Sequence, residues 1–274
     1  MTGAPGAGGD VRRMHLAVQL PGAGGAAGAV EGADGGGGGR PTAALDFGAY
    51  ARLARTAERG LFDFLLAAPA GRGPEPFTVL NALAGATESI GLALVTPPDR
   101  CGPDELARRI ALLDRLSAGR AGGPVVACAA GFAPGPSAQG RPVLIREQGG
   151  TEPAEVVLAG ARGLARPGAI VLARLDFTRG GAADFPALGE PGDRARPDDP
   201  RAAAAALALA VRLDAPVQSG ALDGYVLLPD AAAGGRALDA FVELVVPLLQ
   251  HRGSLRTAYR GTTLREHLGL PLPA

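Results

Sequence analysis

An α/β protein with a parallel sheet is the fold class this sequence predicts, on three observations. Short apolar runs suited to buried strands alternate with segments of helical period through the first half of the chain. The connections between them are short, as in successive βαβ units. Hydrophobic residues make up 47% of the 274, enough for a large buried core. The handedness rule for such crossovers permits a closed barrel or an open doubly wound sheet, and the pattern alone does not choose between them.

Residues 1–11 are rich in Gly, Ala and Pro and are expected to be disordered. Met14–Leu20 (MHLAVQL) alternates as a first strand, and Pro21–Gly39 is too poor in large apolar groups to pack, so it reads as a mobile loop. Leu45–Arg59 predicts a helix with Phe47, Tyr50, Ala51, Ala54 and Ala57 on one face and Gly60 as its stop. Phe62–Ala67 is a short buried strand. Pro76 opens a second helix with Val79, Leu80, Leu83 and Ala86 inward. Ile90–Val95 is the third strand, Pro103 opens a helix with Leu106, Ile110 and Leu113 inward, and Gly122–Ala127 is the fourth strand.

The second half is less regular. Pro142–Ile145 predicts a strand, Pro153–Leu164 a helix and Ala169–Leu175 another strand. Gly180–Pro200 reads as a loop, Arg201–Leu213 as an alanine-rich helix and Gly224–Leu228 as the last strand. Leu238–Leu249 carries one apolar stripe, and Pro247 within it should kink or end the helix.

Composition removes several functions. The 27 basic and 27 acidic side chains cancel, so no global field draws in nucleic acid or an anionic membrane. There is no lysine, which excludes Schiff-base chemistry on the chain. Cys101 and Cys128 have no metal-ligand spacing and are expected to be small half-buried thiols in a reducing cytoplasm. His15, His251 and His267 lie far apart; His15 is expected to pack at the start of the first strand and His251 to sit at a helix end. No apolar run reaches about 18 residues, and the Gly-rich N-terminus does not read as a signal peptide.

Several segments, in order, resemble the bacterial luciferase-like flavin monooxygenases, in the branch of the nitrilotriacetate and dibenzothiophene sulfone monooxygenases. They are Leu45–Phe64, Glu75–Leu94, Pro103–Gly122, Asp223–Pro229, Ala237–Gly253 and the tail Arg256–Pro273, roughly two thirds of the chain. The resemblance implies a (β/α)8 TIM-barrel-like fold over residues 12–252, with residues 253–274 as a tail packed on the barrel. It implies reduced FMN at the C-terminal face, supplied by a partner reductase and used with O2 on a small-molecule substrate.

The residues that should serve the flavin depart from the family pattern. Ala68-Pro69 stands where the family has an acidic residue. Arg100, Cys101, Asp104 and Glu105 stand at Tyr-Asn and Tyr-His positions, and Gly122-Gly123-Pro124 replaces a strand that carries an aromatic and an amide. The His- and Trp-containing first loop aligns with Gly25, Ala26 and Val30. Gly149, Gly150 and Thr151 match the Gly-Ser-Ser turn that holds the FMN phosphate ahead of a helix N-terminus. An ordinary N-cap before Pro153 accounts for the same residues. Arg100 is a further candidate anion contact.

The linker GFAPGPSAQGR after the fourth strand is too short for the family's helix, so the barrel is expected to lack one outer helix there. Val125, Val126, Val143 and Ile145 would then face a gap. The helix Arg201–Leu213, the tail, or a second subunit in a homodimer or paralogue heterodimer should cover it. Two functions follow: a flavin-dependent monooxygenase with an unusual site, or a non-catalytic relative without cofactor that acts as a binding module or partner subunit.

Overall fold

The computed structural model describes residues 11–21, 47–67, 74–95, 101–126, 135, 137–159, 168–176, 199–229 and 236–273. Eight parallel strands close into a barrel in sequence order. They are β1 (His15–Gln19), β2 (Phe64–Ala67), β3 (Gly91–Leu94), β4 (Ala121–Gly123), β5 (Val143–Glu147), β6 (Val156–Ala159), β7 (Ile170–Asp176) and β8 (Gly224–Leu228). β8 returns to β1 with His15 opposite Gly224 and Leu16 opposite Tyr225.

The strands are short and apolar on both faces because both faces are buried. Alternate residues fill the barrel: Ala17, Phe64, Leu66, Ala93, Val143, Ile145, Val156, Leu158, Leu172 and Val226 form one interior cluster. The residues between them, such as Leu16, Val18, Leu65, Leu92, Leu94 and Tyr225, pack outward in a second cluster with the helices.

Helices α1 (Phe47–Arg59), α2 (Pro76–Ala84) and α3 (Pro103–Leu116) follow the first three strands, and α4 (Pro200–Gln218) precedes β8. Proline stands in the first turn of α2, α3 and α4, where its missing N–H costs nothing. After β8 come α5 (Arg236–Ala240), a π-helical turn (Phe241–Val245) and α6 (Val246–His251). Pro247 therefore does not end this run. The chain widens one turn before it, with the Val246 N–H reaching the Phe241 carbonyl five residues back. His251 closes α6, and His15 opens β1.

The helix expected over Pro153–Leu164 is not there: Val156–Ala159 is strand β6, and residues 160–164 lie outside the described ones. A run such as VVLA carries no periodicity that separates a doubly buried strand from a helix turn. Paired to Ile145 and Ile170, Val156 supplies the strand that closes the ring.

Among the described residues no helix follows β4, β5 or β6. Val143 and Ile145 nevertheless do not face a gap: they point into the barrel and are fully buried, whereas Val125 and Val126 are half-buried. Their neighbours Leu144 and Arg146 take the outward positions. After β4 the returning chain is anchored by Gln139, which is buried and donates to Asp114 Oδ1 at 2.7 Å and to the Ala121 carbonyl at 2.8 Å.

The tail closes the floor of the barrel rather than its side. Leu264 and Leu268, on and just after the short helix α7 (Leu264–His267), join the interior cluster from the N-terminal end of the strands. Gly91 and Gly122 make room for it: a Cβ at either would lie 2.6 or 3.2 Å from the Leu264 side chain. Thr263 and Glu266 form a reciprocal capping box on α7.

Charge ties the tail down. Buried Asp63 accepts from the Leu16 N–H at 2.8 Å and from Arg256, and meets His15 Nδ1 at 3.2 Å. Burial alone would raise its pKa, but the Arg256 and His15 charges and these hydrogen bonds hold the carboxyl below the usual range. Arg265, a buried residue of α7, donates to Glu155 at 2.7 and 3.1 Å and to the Pro271 carbonyl at 3.0 Å.

Candidate functional site

In barrels of this architecture the site is built at the C-terminal ends of the strands. Inward positions toward those ends include Gln19 on β1, Glu147 on β5 and Arg174 on β7, with half-buried Val95 and Leu228 packed on the interior cluster beneath. Arg174 Nη2 donates to Glu147 Oε1 at 2.6 Å. β6 lies between the two strands, so this ion pair spans the C-terminal end of β6. Both side chains remain part-exposed, at 33% and 43%. Among the described residues, two polar atoms at this rim are buried without a partner: the Gln19 side-chain oxygen and Arg174 Nε. A native fold rarely leaves such atoms unpaired.

The sequence-predicted residues are placed as follows. Gly149, Gly150 and Thr151 form the turn after β5, on this same face. Gly149 has φ +99°, a left-handed conformation that suits glycine, and the Gly150 N–H reaches the Glu147 carbonyl at 3.4 Å. Thr151 is exposed. No helix begins after this turn, because β6 follows, so the macrodipole expected to hold a phosphate is missing. Glu152 also stands over it: its carboxylate lies 3.0 Å from where a Cβ on Gly150 would be. The turn as built does not fit a phosphate dianion.

Arg146 flanks the turn from the outer side, donating from Nη1 to the Glu147 carbonyl at 3.1 Å, and its buried Nε has no partner among the described residues. Arg100, Ala68, Pro69, Gly25, Ala26, Val30 and Cys128 lie outside the described residues, and Cys101 is a half-buried free thiol.

The glycines of β4 have a packing role. A Cβ on Gly122 would meet Ile145 Cδ1 at 2.8 Å inside the barrel, and one on Gly123 would meet Ile110 Cδ1 at 3.0 Å outside it. The aromatic of the family pattern has no space here.

Gln19, Glu147 and Arg174 were not singled out by the sequence. The signal was present: each is a polar residue near the end of an otherwise apolar strand, at an inward position of the alternation. Reading it requires the register of the closed ring.

A cleft of about 340 Å³ at the opposite end is lined by Arg12, Ile170, Val171 and Asp223 among others. Arg12 and Asp223 pair there at 3.0 Å, and the cleft lies at the N-terminal ends of β7 and β8. That is the end of such barrels associated with stability rather than chemistry.

Residues 27–129 match the family model described as luciferase-like monooxygenase. A segment of 56 residues is 50% identical to dibenzothiophene-sulfone monooxygenase of Rhodococcus erythropolis, covering 20% of this chain and 12% of that protein. Over 113 residues the chain is 38% identical to nitrilotriacetate monooxygenase component A of Aminobacter aminovorans, covering 33% and 25%. The matched stretches thus span 12% and 25% of these two relatives. EDTA monooxygenase from Chelativorans sp. BNC1 superposes with a TM-score of 0.66 at 20% identity, over 95% of this chain and 99% of that one. The long-chain alkane monooxygenase structure gives 0.62 at 15% identity, over 94% and 96%. These superpositions show the barrel fold.

Proposed function

We propose, from the match of residues 27–129 to the luciferase-like monooxygenase model and the similarity to its named relatives, that the chain is a flavin-dependent monooxygenase working at the C-terminal mouth of its barrel. The cofactor in this reading is reduced FMN delivered by a separate flavin reductase. The designation of one relative as component A supports such a second component. When bound, the reduced flavin supplies two electrons to O2, so that one oxygen atom passes to a small organic substrate and the other leaves as water.

One observation carries this reading: at the rim the buried Gln19 side-chain oxygen has no partner among the described residues. The Gln19 oxygen accepts, and the edge of an isoalloxazine ring presents a complementary N–H donor. The half-buried Val95 and Leu228 would form an apolar support, and the packed interior below excludes water. The described residues fit the ring edge better than the phosphate, since Glu152 stands over the Gly149–Thr151 turn.

Weak flavin binding is therefore expected. Titrating oxidised FMN by flavin fluorescence should give a Kd above about 1 µM, that is, binding weaker than about −8 kcal/mol. Gln19→Leu should weaken it further. Flavin fluorescence unaltered by the protein at millimolar concentrations would overturn the proposal.

A further inference from the structure

We propose that Arg174 and Glu147 form an exchangeable ion pair, in which Glu147 holds the place of an anionic group of the ligand. This rests on the reading that the barrel mouth is the ligand site. Three observations support it.

The first is the geometry of the guanidinium. Its Nε and Nη2 hydrogens form one edge that matches a carboxylate, phosphate or sulfonate through two parallel hydrogen bonds. Glu147 takes Nη2 alone, at 2.6 Å, while Nε is buried with no partner among the described residues. An incoming oxyanion on this edge would satisfy both.

The second is the ease of release. The pair is one-third to two-fifths exposed, and ion pairs open to water to that extent contribute little. Separating it returns the Glu147 carboxylate to solvent. Asp63–Arg256 at the floor differs sharply: its side chains are 0% and 8% exposed, so no ligand can displace the acid.

The third is position. Arg174 and Glu147 stand at inward places on β7 and β5 above Leu158 and Leu172, which are buried in the barrel. An anion held there would place the attached ligand over the apolar interior. The same chemistry could come from a carboxylate of the substrate or from the phosphate of the flavin.

The test uses the full chain and its Glu147→Gln, Arg174→Gln and Arg174→Lys variants, with inorganic phosphate and succinate as probes in calorimetric titrations. Glu147→Gln should tighten the binding of one probe or both by about tenfold, because the competing acid is gone, and Arg174→Gln should weaken it by a similar factor. Arg174→Lys should fall between, keeping the charge but losing the two-pronged edge. Opposite signs for the acid and arginine variants are not expected of a purely structural pair.

A second arm compares FMN with riboflavin. If Arg174→Gln removes a preference for FMN, the anion is the flavin phosphate. If it leaves both flavins alike and weakens succinate, the anion belongs to the substrate. Both outcomes support the exchange. It is overturned if Glu147→Gln and Arg174→Gln move anion binding in the same direction, if neither changes it, or if the parent chain binds neither probe and shows no FMN preference. Anion binding that follows the expected pattern without any flavin binding would retain this inference and remove the proposed function; flavin binding without anion exchange would do the reverse.

Discussion

The two ends of this barrel are made from the same eight strands, yet they use charge in opposite ways. At the floor, Asp63, Arg256, Glu155 and Arg265 are largely buried and joined by several hydrogen bonds each or by bidentate contacts, with Leu264 and Leu268 filling the space between. At the mouth, Glu147 and Arg174 meet through one hydrogen bond in partial contact with water. A buried pair is expensive to break because the surviving charge stays out of water. A part-exposed pair is cheap to open. The floor is therefore a staple and the mouth a place where partners can be exchanged.

That contrast can be broken most directly at Arg256. Arg256→Ala strands the Asp63 carboxylate in a site with no solvent exposure, and a loss of about 3–5 kcal/mol is expected in urea unfolding at neutral pH. A loss below about 1 kcal/mol, the range of exposed pairs, would remove the distinction between the two ends. Leu264→Ala should cost about 2–5 kcal/mol by opening a cavity among β3, β4 and β5, readable in the same experiment.

Acid should attack the floor in two stages. His267 is buried beside Tyr259, with ring centroids 4.7 Å apart. Burial first, and then the Arg256 charge, lower its pKa against the opposing pull of Asp63, Glu266 and the Gly261 backbone. The folded chain keeps it neutral while the unfolded chain takes up a proton. Stability is thus full above the ordinary imidazole value of about 6.5 and declines as pH falls below it. Asp63 is shifted in the same direction, at lower pH. Its carboxyl is held low in the fold, so its contribution is present above about pH 4 and is lost as pH falls through the folded value. Thermal melts from pH 7.5 to 3 should show a shallow decline and then a steeper one, and His267→Phe should flatten the shallow stage alone. A melt that stays flat to pH 4 in the parent would refute the role of His267.

The smallest effect is expected at the mouth. Glu147→Gln and Arg174→Gln should each alter unfolding free energy by less than about 1 kcal/mol, as for other part-exposed pairs. A larger loss in either would make the mouth a second staple and weaken its assignment as the ligand site.

The regular part of the fold was legible because its signals are local. The stripe Tyr50, Ala51, Ala54, Ala57 on α1, the prolines opening α2 and α3, and the apolar strands before and after them depend on residues a few positions apart. Val156–Ala159 was misread because four consecutive apolar residues fit either a buried strand or a helical turn, and only pairing with β5 and β7 decides. The direction of Val143 and Ile145 failed for a related reason. A strand shows that its side chains alternate, but which set points inward is decided by its neighbours' register.

The candidate site divides along the same line. The sequence by itself determined the alternating plan, the family resemblance and the departure of Gly122-Gly123-Pro124 from the expected pattern, all of which are properties of adjacent residues. Tertiary structure decided that Gly122 is small because Ile145 and Leu264 approach it, and that the Gly149–Thr151 turn lacks a helix behind it. It also decided that Gln19, Glu147 and Arg174, from three distant strands, share one rim. Closure of the ring is what brings these residues together, and closure is a cooperative property of eight registers that no single segment encodes.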